Sequence, residues 1–184
     1  MNKKLLVIIS SPSGGGKDSV INALLKMMPN SNRLITTTSR PMRPGNKDGV
    51  DYHFISEDDF KNKIENNEFV EYNIYSNNYY GSEKKYLDES LSKYNLVFTQ
   101  MEVNGKHNLD KLNIHHLSIF LLPEDLDILK NRIIKRGGLD SEQIEKRIET
   151  AKKEMIESKD YDHRIVNKEG KLDETIDKIK EIIE

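Results

Sequence analysis

Residues 10–19 read SSPSGGGKDS, and this stretch organises the rest of the chain. It follows the apolar run LLVII at residues 5–9, whose length and β-branched content are typical of a buried strand. The sequence VINALL at residues 20–25 then continues at helical spacing. In a strand, glycine loop and helix arranged in this order, backbone N–H groups and a helix N-terminus converge on phosphate oxygens. The stretch therefore predicts a phosphate-binding loop.

The match to the motif G-x-x-x-x-G-K-[ST] is incomplete. Gly16 and Lys17 fit, and Lys17 would reach the terminal phosphates. Ser11 stands in place of the first glycine, and Asp18 in place of the hydroxyl residue that binds magnesium. A glycine-rich turn that caps an ordinary helix is the alternative interpretation of this stretch alone.

Composition limits the class of protein. A length of 184 residues suits a single domain with a sizeable core. The absence of cysteine excludes disulfides and thiolate chemistry. With 29 Lys+Arg against 31 Asp+Glu, the net charge of −2 gives no global basic field for nucleic acid or acidic membranes. We find no signal peptide, no run of ~20 apolar residues and no metal-ligand spacing among the histidines. We expect a soluble, cytoplasmic protein without nucleic-acid or membrane partners, a monomer or weak homo-oligomer.

Strand patterns alternate with helical patterns along most of the chain, which predicts an α/β fold with a parallel, doubly wound sheet flanked by helices. Residues 36–82 differ, because they indicate short strands with one helix. Residues 33–38, which lead into this region, look like one strand, and residues 77–82 at its end look like a polar, aromatic turn. Ligands of such sheets bind at the carboxyl ends of the strands, where the glycine loop and Glu102 fall.

Residues 39–49, SRPMRPGNKDG, form a proline-stiffened loop with Arg40 and Arg43 three positions apart. Guanidinium groups match phosphate oxygens bidentately, so the pair suits an oxyanion clamp. A solvated loop with incidental charge is the alternative.

Two helical patterns, broken by Gly137-Gly138, carry Arg132, Arg136 and Arg147. They predict either a mobile cationic lid or a pair of ordinary salt-bridged surface helices, and composition alone favours the second slightly.

Several ordered motifs together resemble the guanylate kinase family over nearly the full length. They are the glycine loop with Lys17, TTSRPMRPGNKDGVDYHF at 37–54, EFVEY at 68–72, NNYYGS at 77–82, RIIKRGG at 132–138 and IVN at 165–167. The resemblance implies a P-loop core at residues 1–35, 90–125 and 151–184 of one domain. It also implies an inserted mixed-β region that binds the nucleoside monophosphate at 36–89 and a helical lid at 126–150.

The resemblance further implies transfer of the ATP γ-phosphoryl group to GMP, and to dGMP, with Mg²⁺, in purine nucleotide metabolism. The implied catalytic residues are Lys17, Arg40, Arg132, Arg136 and Arg147. The implied ATP-binding residues are Ser13, Gly14, Gly15, Gly16, Lys17, Asp18, Ser19 and Asn167, with Asn167 at the adenine. The implied GMP-binding residues are Thr36, Arg40, Arg43, Tyr52, Glu71, Tyr80, Ser82 and Glu102.

The chemistry of these assignments is sensible. The Glu71 carboxylate can accept from N1–H and the exocyclic amine of guanine together, an edge that adenine lacks, and the Thr36 hydroxyl can donate to O6. The lid arginines would neutralise the transferring phosphoryl group and exclude water on closure.

The chain departs from the family pattern at four positions: Asp18, Asn46, Gln100 and Glu102. Asp18 is either an acid in the first turn of a helix, worth about 0.3–1 kcal/mol through the helix dipole, or a carboxylate that helps to hold magnesium. The other three leave open a kinase for a different nucleoside monophosphate. A catalytically inactive module that binds phosphorylated peptides is the alternative from another class, although such modules usually lack the glycine loop and lid arginines that this chain keeps.

Overall fold

The computed structural model describes residues 4–75, 77–138 and 140–184, and the side chains of Tyr75 and Arg136 lie outside that description. The strands are β1 (Leu5–Ser10), β2 (Ser31–Arg33), β3 (Thr37–Thr38), β4 (His53–Phe54), β5 (Phe69–Tyr75), β6 (Asn78–Glu83), β7 (Leu96–Thr99), β8 (His116–Pro123) and β9 (His163–Asn167). The helices are α1 (Lys17–Met27), α2 (Glu57–Glu65), α3 (Lys84–Lys93), α4 (Val103–Lys111), α5 (Leu126–Arg136), α6 (Ser141–Glu157) and α7 (Leu172–Ile183), with a short 3₁₀ turn at Ser158–Asp160.

Backbone contacts divide the chain into two compact units. The first consists of Met1–Leu6, Asn30–Thr99 and Asn104–His116, and the second of Val7–Pro29, Gln100–Val103 and Leu117–Glu184. The strand β1 contributes to both, with Leu5 and Leu6 in the first unit and the rest in the second.

A five-stranded sheet has the strand order β2-β7-β1-β8-β9. The pairs β2·β7 and β8·β9 are parallel, the latter running from Ile119 opposite His163 to Pro123 opposite Asn167. The expected α/β fold with a parallel central sheet is confirmed. The strand order changes direction at β1, and in sheets of this kind ligands bind beyond the carboxyl ends of the strands.

The composition of β1 explains its central place. Its residues from Leu6 to Ser10 are all buried, as expected of a parallel strand covered on both faces. In the second unit, α5 and α6 share a core of Leu129, Ile133 and Ala151. Among the described residues no helix combines the length and the apolar character needed to cross a membrane.

A second, four-stranded sheet has the order β4-β3-β6-β5 and lies in the first unit. It is mixed, because β3 pairs parallel with β4 while β6 pairs antiparallel with both β3 and β5. The ring of Phe60 in α2 stacks on Phe69 in β5 with centroids 4.3 Å apart. Ser56 caps α2 by accepting a hydrogen bond from Asp59 N at 3.0 Å.

The single strand predicted at residues 33–38 is wrong. The backbone changes partners inside it: Leu34 N donates to Phe98 O at 2.8 Å, beside β7, whereas Thr36 O accepts from His53 N at 2.9 Å, in β4. The segment therefore splits into the end of β2 in one sheet and β3 in the other.

The turn predicted at residues 77–82 is also wrong. Asn77 alone has the turn conformation, with a positive φ of 59°, and β6 begins at the next residue. The tyrosines that follow favour an extended, half-buried surface, and this preference outweighs the turn-forming amides.

Candidate active site

The glycine loop adopts a conformation that requires glycine. Gly14 and Gly16 have φ of 88° and 93°, in the left-handed region, and Gly15 N donates to Pro12 O at 2.9 Å. A Cβ on Gly15 would lie 2.4 Å from Ser11 Oγ. Ser11 thus takes the position of a motif glycine and packs directly against the loop.

Lys17 begins α1 directly after this loop. Its Nζ donates to Ser11 O at 2.5 Å, so the ammonium group lies beside the loop backbone. The N-cap of α1 is Gly16, which has no side chain to cap the helix, and Asp18 and Ser19 are exposed in its first turn. A glycine-capped helix N-terminus with an adjacent ammonium group suits the binding of phosphate oxygens.

The helices that carry the predicted lid arginines lie in the same unit as the loop. Arg147 Nη1 donates to Ser13 Oγ at 3.0 Å, and Arg132 Nε lies 3.4 Å from Glu169 Oε2. A Cβ on Gly14 would lie 3.8 Å from the Cβ of Arg132. The guanidinium group of Arg147 thus contacts the glycine loop, and the Cβ of Arg132 lies close to it. The side chain of Arg136 is outside the described part of the chain.

Asn167, at the end of β9, contacts the loop from within the protein. Its Nδ2 donates to Gly15 O at 2.9 Å and its Oδ1 accepts from Thr175 Oγ1 at 2.9 Å. Its contact with adenine stays a prediction. Sequence reasoning missed Thr175, which is buried in the first turn of α7.

Glu154, in α6, is a second group that sequence reasoning missed. Burial raises the pKa of its carboxyl group from 4.5 to about 7; the charge of Lys17 opposes the rise, and those of Glu102 and Glu157 add to it. The predicted residues Lys17 and Glu102 thus share an electrostatic environment with Glu154. A signal for it was present, because seven residues after Arg147 a helix returns to the same face.

In the first unit the predicted arginine clamp is held by Asn46. Arg40 Nη2 donates to Asn46 Oδ1 at 3.0 Å, and Arg43 N donates to the same oxygen at 3.3 Å. Arg40 Nη1 also donates to Pro41 O at 2.9 Å. One amide side chain therefore links the two arginine positions.

Aromatic rings lie against Arg40. Its guanidinium carbon is 5.6 Å from the ring centroid of Tyr52 and 5.5 Å from that of Phe54, within cation–π range. The rings of Tyr52 and Tyr80 meet edge-on at 5.9 Å. The structure therefore brings together Arg40, Tyr52 and Tyr80, three of the predicted phosphate-binding residues.

The predicted base-reading residues of this unit lie on adjacent strands. Glu71 in β5 is directly opposite Ser82 in β6, and Ser82 Oγ donates to Glu71 Oε1 at 2.6 Å. Thr36 precedes β3, which pairs with β6. The Glu71 carboxylate is half-buried, a position from which it can accept from a nucleobase.

Glu83, the residue after Ser82 in β6, belongs to a charged cluster that sequence reasoning also missed. The Glu83 side chain is 1% exposed and accepts from Thr37 Oγ1 at 2.6 Å and from Lys63 Nζ at 2.9 Å. Burial by itself raises the pKa of Glu83, but the hydrogen bonds from Thr37 and Lys63 outweigh it and leave the pKa below 4.5. The pKa of Lys63 is correspondingly raised: burial lowers it, and the bonds to Glu68 and Glu83 more than compensate.

The chain is similar to known proteins over nearly its whole length. A family model described as guanylate kinase matches residues 3–184. The chain belongs to the guanylate kinase family. It is 40% identical over 181 residues to the guanylate kinase of Listeria innocua, covering 98% of this chain and 87% of that protein. It is 35% identical over 182 residues to the guanylate kinase of Rickettsia bellii, covering 99% and 94%.

A solved structure supports the fold of this guanylate kinase family member. The crystal structure of guanylate kinase from Anaplasma phagocytophilum matches it with a TM-score of 0.75 at 26% identity, covering 100% of this chain and 86% of that one. The family expected from the sequence motifs is confirmed.

Proposed function

We propose that the protein transfers the γ-phosphoryl group of ATP to GMP, and to dGMP, giving ADP and the nucleoside diphosphate. The observation that carries this proposal is the convergence of Lys17 and Arg147 on the glycine loop, through Ser11 O and Ser13 Oγ. Membership of the guanylate kinase family supports GMP as the acceptor.

On the donor side the loop and its cations supply charge. The N-terminus of α1 and Lys17 bind the phosphates, and Arg132, Arg136 and Arg147 neutralise the charge on the transferring group. Phosphoryl transfer depends chiefly on positioning and electrostatic stabilisation, so no general base is required of the protein.

On the acceptor side two sets of residues divide the work. Arg40, Arg43, Tyr52 and Tyr80 bind the phosphate of GMP, since guanidinium groups and phenol hydroxyls are its natural donors. The base is read by Glu71, which accepts from N1–H and the exocyclic amine, and by Thr36, Ser82 and Glu102. Adenine does not offer these two donors, so the Glu71 carboxylate would be left unpaired with AMP. The site therefore discriminates strongly against AMP.

Magnesium fits a site that substrate phosphates complete. Among the described residues no three His, Cys, Asp or Glu side chains are grouped closely enough to hold a metal ion alone. Kinase sites commonly bind Mg²⁺ through one or two carboxylates together with phosphate oxygens, and exposed Asp18 beside Lys17 suits that role. When bound, the ion would offset charge on the phosphates.

The proposal also covers the metabolic role of the protein, its compartment and its oligomeric state. The substrates place the activity in purine nucleotide metabolism, and the absence of cysteine suits the reducing cytoplasm. A monomer or weak homo-oligomer remains our prediction.

A coupled assay of ADP release with ATP and Mg²⁺ tests the activity. The acceptors are GMP, dGMP, AMP, CMP and UMP. We expect turnover with GMP and dGMP, and no turnover of GMP would overturn the proposal. The Lys17→Ala variant, purified in parallel, controls for contaminating kinases; its rate should fall by on the order of 10²-fold or more.

A further inference from the structure

Asn167 and Thr175 form a buried hydrogen-bonded relay that ends on the glycine loop. Thr175 is 2% exposed and Asn167 is 6% exposed. Both hydrogen bonds of the relay, from Thr175 Oγ1 to Asn167 Oδ1 and from Asn167 Nδ2 to Gly15 O, are 2.9 Å long. The relay connects α7 through the end of β9 to the loop that follows β1.

The chemistry of the partners fixes the direction of the relay. A backbone carbonyl only accepts, so the amide nitrogen of Asn167 must face Gly15 O. The amide oxygen then faces Thr175, whose hydroxyl group must donate. The Thr175 hydroxyl group thereby holds the Asn167 amide in the orientation that the Gly15 carbonyl requires.

The orientation of the Asn167 amide fixes one peptide bond of the loop, the bond between Gly15 and Gly16. In a planar trans peptide the C=O and the following N–H point in opposite directions. Anchoring Gly15 O on Asn167 therefore turns the N–H of Gly16 away from Asn167. The contact is close, since a Cβ on Gly16 would lie 2.7 Å from Asn167 Nδ2.

We propose that Thr175 and Asn167 are positioning residues that set the Gly15–Gly16 peptide so that the Gly16 N–H binds the polyphosphate of the nucleotide donor. The inference rests on the proposed function for the identity of the donor. It gives Asn167 a role different from the adenine contact that the family resemblance implies. It also assigns a role to Thr175, which lies in none of the sequence motifs.

The relay is tested with Thr175→Val, which keeps the shape of the side chain and removes the donor, and with Thr175→Ser, which keeps the donor. Binding of ATP and of inorganic tripolyphosphate is measured by calorimetry, so the test does not depend on turnover or on the acceptor. We expect Thr175→Val to weaken both ligands by the same factor, about threefold to tenfold for one lost hydrogen bond. Thr175→Ser should restore binding to within about twofold of the wild-type protein.

Two results would overturn the proposal. If Thr175→Val weakens ATP but not tripolyphosphate, the relay acts on the base. If it lowers the melting temperature and leaves the affinity for tripolyphosphate unchanged, the relay is only structural. Failure of the proposed function is recognised separately, as absence of GMP turnover by a wild-type protein that binds tripolyphosphate.

Asn167→Ala is the second variant, which decides the question if Thr175→Val does not fold. It should weaken ATP and tripolyphosphate equally. The double variant Asn167→Ala/Thr175→Val should bind no worse than Asn167→Ala, because the hydroxyl group acts only through the amide. Unchanged tripolyphosphate binding by Asn167→Ala, or additive losses in the double variant, would contradict the relay.

Discussion

Ser82 Oγ donates a 2.6 Å hydrogen bond to Glu71 Oε1 from the directly opposite position on the neighbouring strand. Ser82 is fully buried, so its hydroxyl group holds one carboxylate oxygen of Glu71 in place. Because guanine offers two donors on one edge, the carboxylate must be oriented to accept both. The hydrogen bond from Ser82 therefore sets the orientation of the Glu71 carboxylate relative to the base.

The Ser82→Ala variant tests this role. We expect KM for GMP to rise about fivefold, the equivalent of one hydrogen bond, while KM for ATP stays unchanged. Steady-state kinetics with each substrate varied in turn measures the effect. The control is Ser56→Ala, which removes the cap of α2 in the same unit and should lower the free energy of unfolding by about 1 kcal/mol without changing KM. Equal KM for GMP in Ser82→Ala and the wild-type protein would contradict the role.

Glu83 should stabilise the first unit. In Glu83→Gln, Thr37 and Lys63 lose a charged acceptor, and we expect the free energy of unfolding at pH 7 to fall by about 1–3 kcal/mol. The pKa of Glu83 is lowered in the folded protein, so its stabilisation is present above the unfolded pKa and is lost as the pH falls through the folded pKa. Urea unfolding at pH 7 and pH 3 should therefore show the difference between the two proteins narrowing in acid.

A matched control exists on the surface of the same unit. Glu57 pairs with Lys61 at 2.7 Å, but both side chains are about half exposed. Glu57→Gln should change the free energy of unfolding by less than about 0.5 kcal/mol. Equal stability of Glu83→Gln and the wild-type protein at pH 7 would refute the prediction for Glu83.

The sequence predicted most of the fold because most elements carry their own signal. The helical pattern at residues 20–25 lies in α1, and the apolar run before the glycine loop lies in β1. The errors at residues 33–38 and 77–82 have different causes. At residues 33–38 the backbone changes its partner from β7 to β4, and local composition does not report such long-range pairing. At residues 77–82 the strand preference of the tyrosines outweighs the turn-forming amides.

In the candidate site, too, the sequence predicted the residues that a local pattern marks and missed the others. Motif residues such as Lys17 and Arg147 were found because spacing and charge mark them. Thr175 was missed because nothing in its local sequence distinguishes it from an ordinary helix residue. For Glu154 the one signal was its spacing of seven residues from Arg147 on the same helix. Their positions beside the loop depend on how α7 and α6 pack in the second unit.

Glu154 should make stability fall as the pH rises. Its pKa in the folded protein, about 7, lies above the ordinary value of 4.5, so its contribution is fully present below pH 4.5 and is lost as the pH rises through 7. Glu154→Gln cannot ionise and avoids this loss. Urea unfolding should show the variant gaining stability relative to the wild-type protein between pH 5 and pH 8, and Glu149→Gln on the exposed side of α6 controls for removal of a carboxylate. A constant difference across this pH range would show that burial of Glu154 is not costly.

We expect Asp18 to favour use of ATP when magnesium is present and to oppose ATP binding when magnesium is absent. If its carboxylate helps to hold the ion, Asp18→Asn needs a higher Mg²⁺ concentration for half-maximal activity, because one hard oxygen ligand is weakened. Without metal the same carboxylate only repels phosphate, so in EDTA the variant should bind ATP more tightly than the wild-type protein, by calorimetry. An acid that served only the dipole of α1 would predict something different. Asp18→Asn would then lose about 0.3–1 kcal/mol of stability, with the magnesium requirement for activity unchanged.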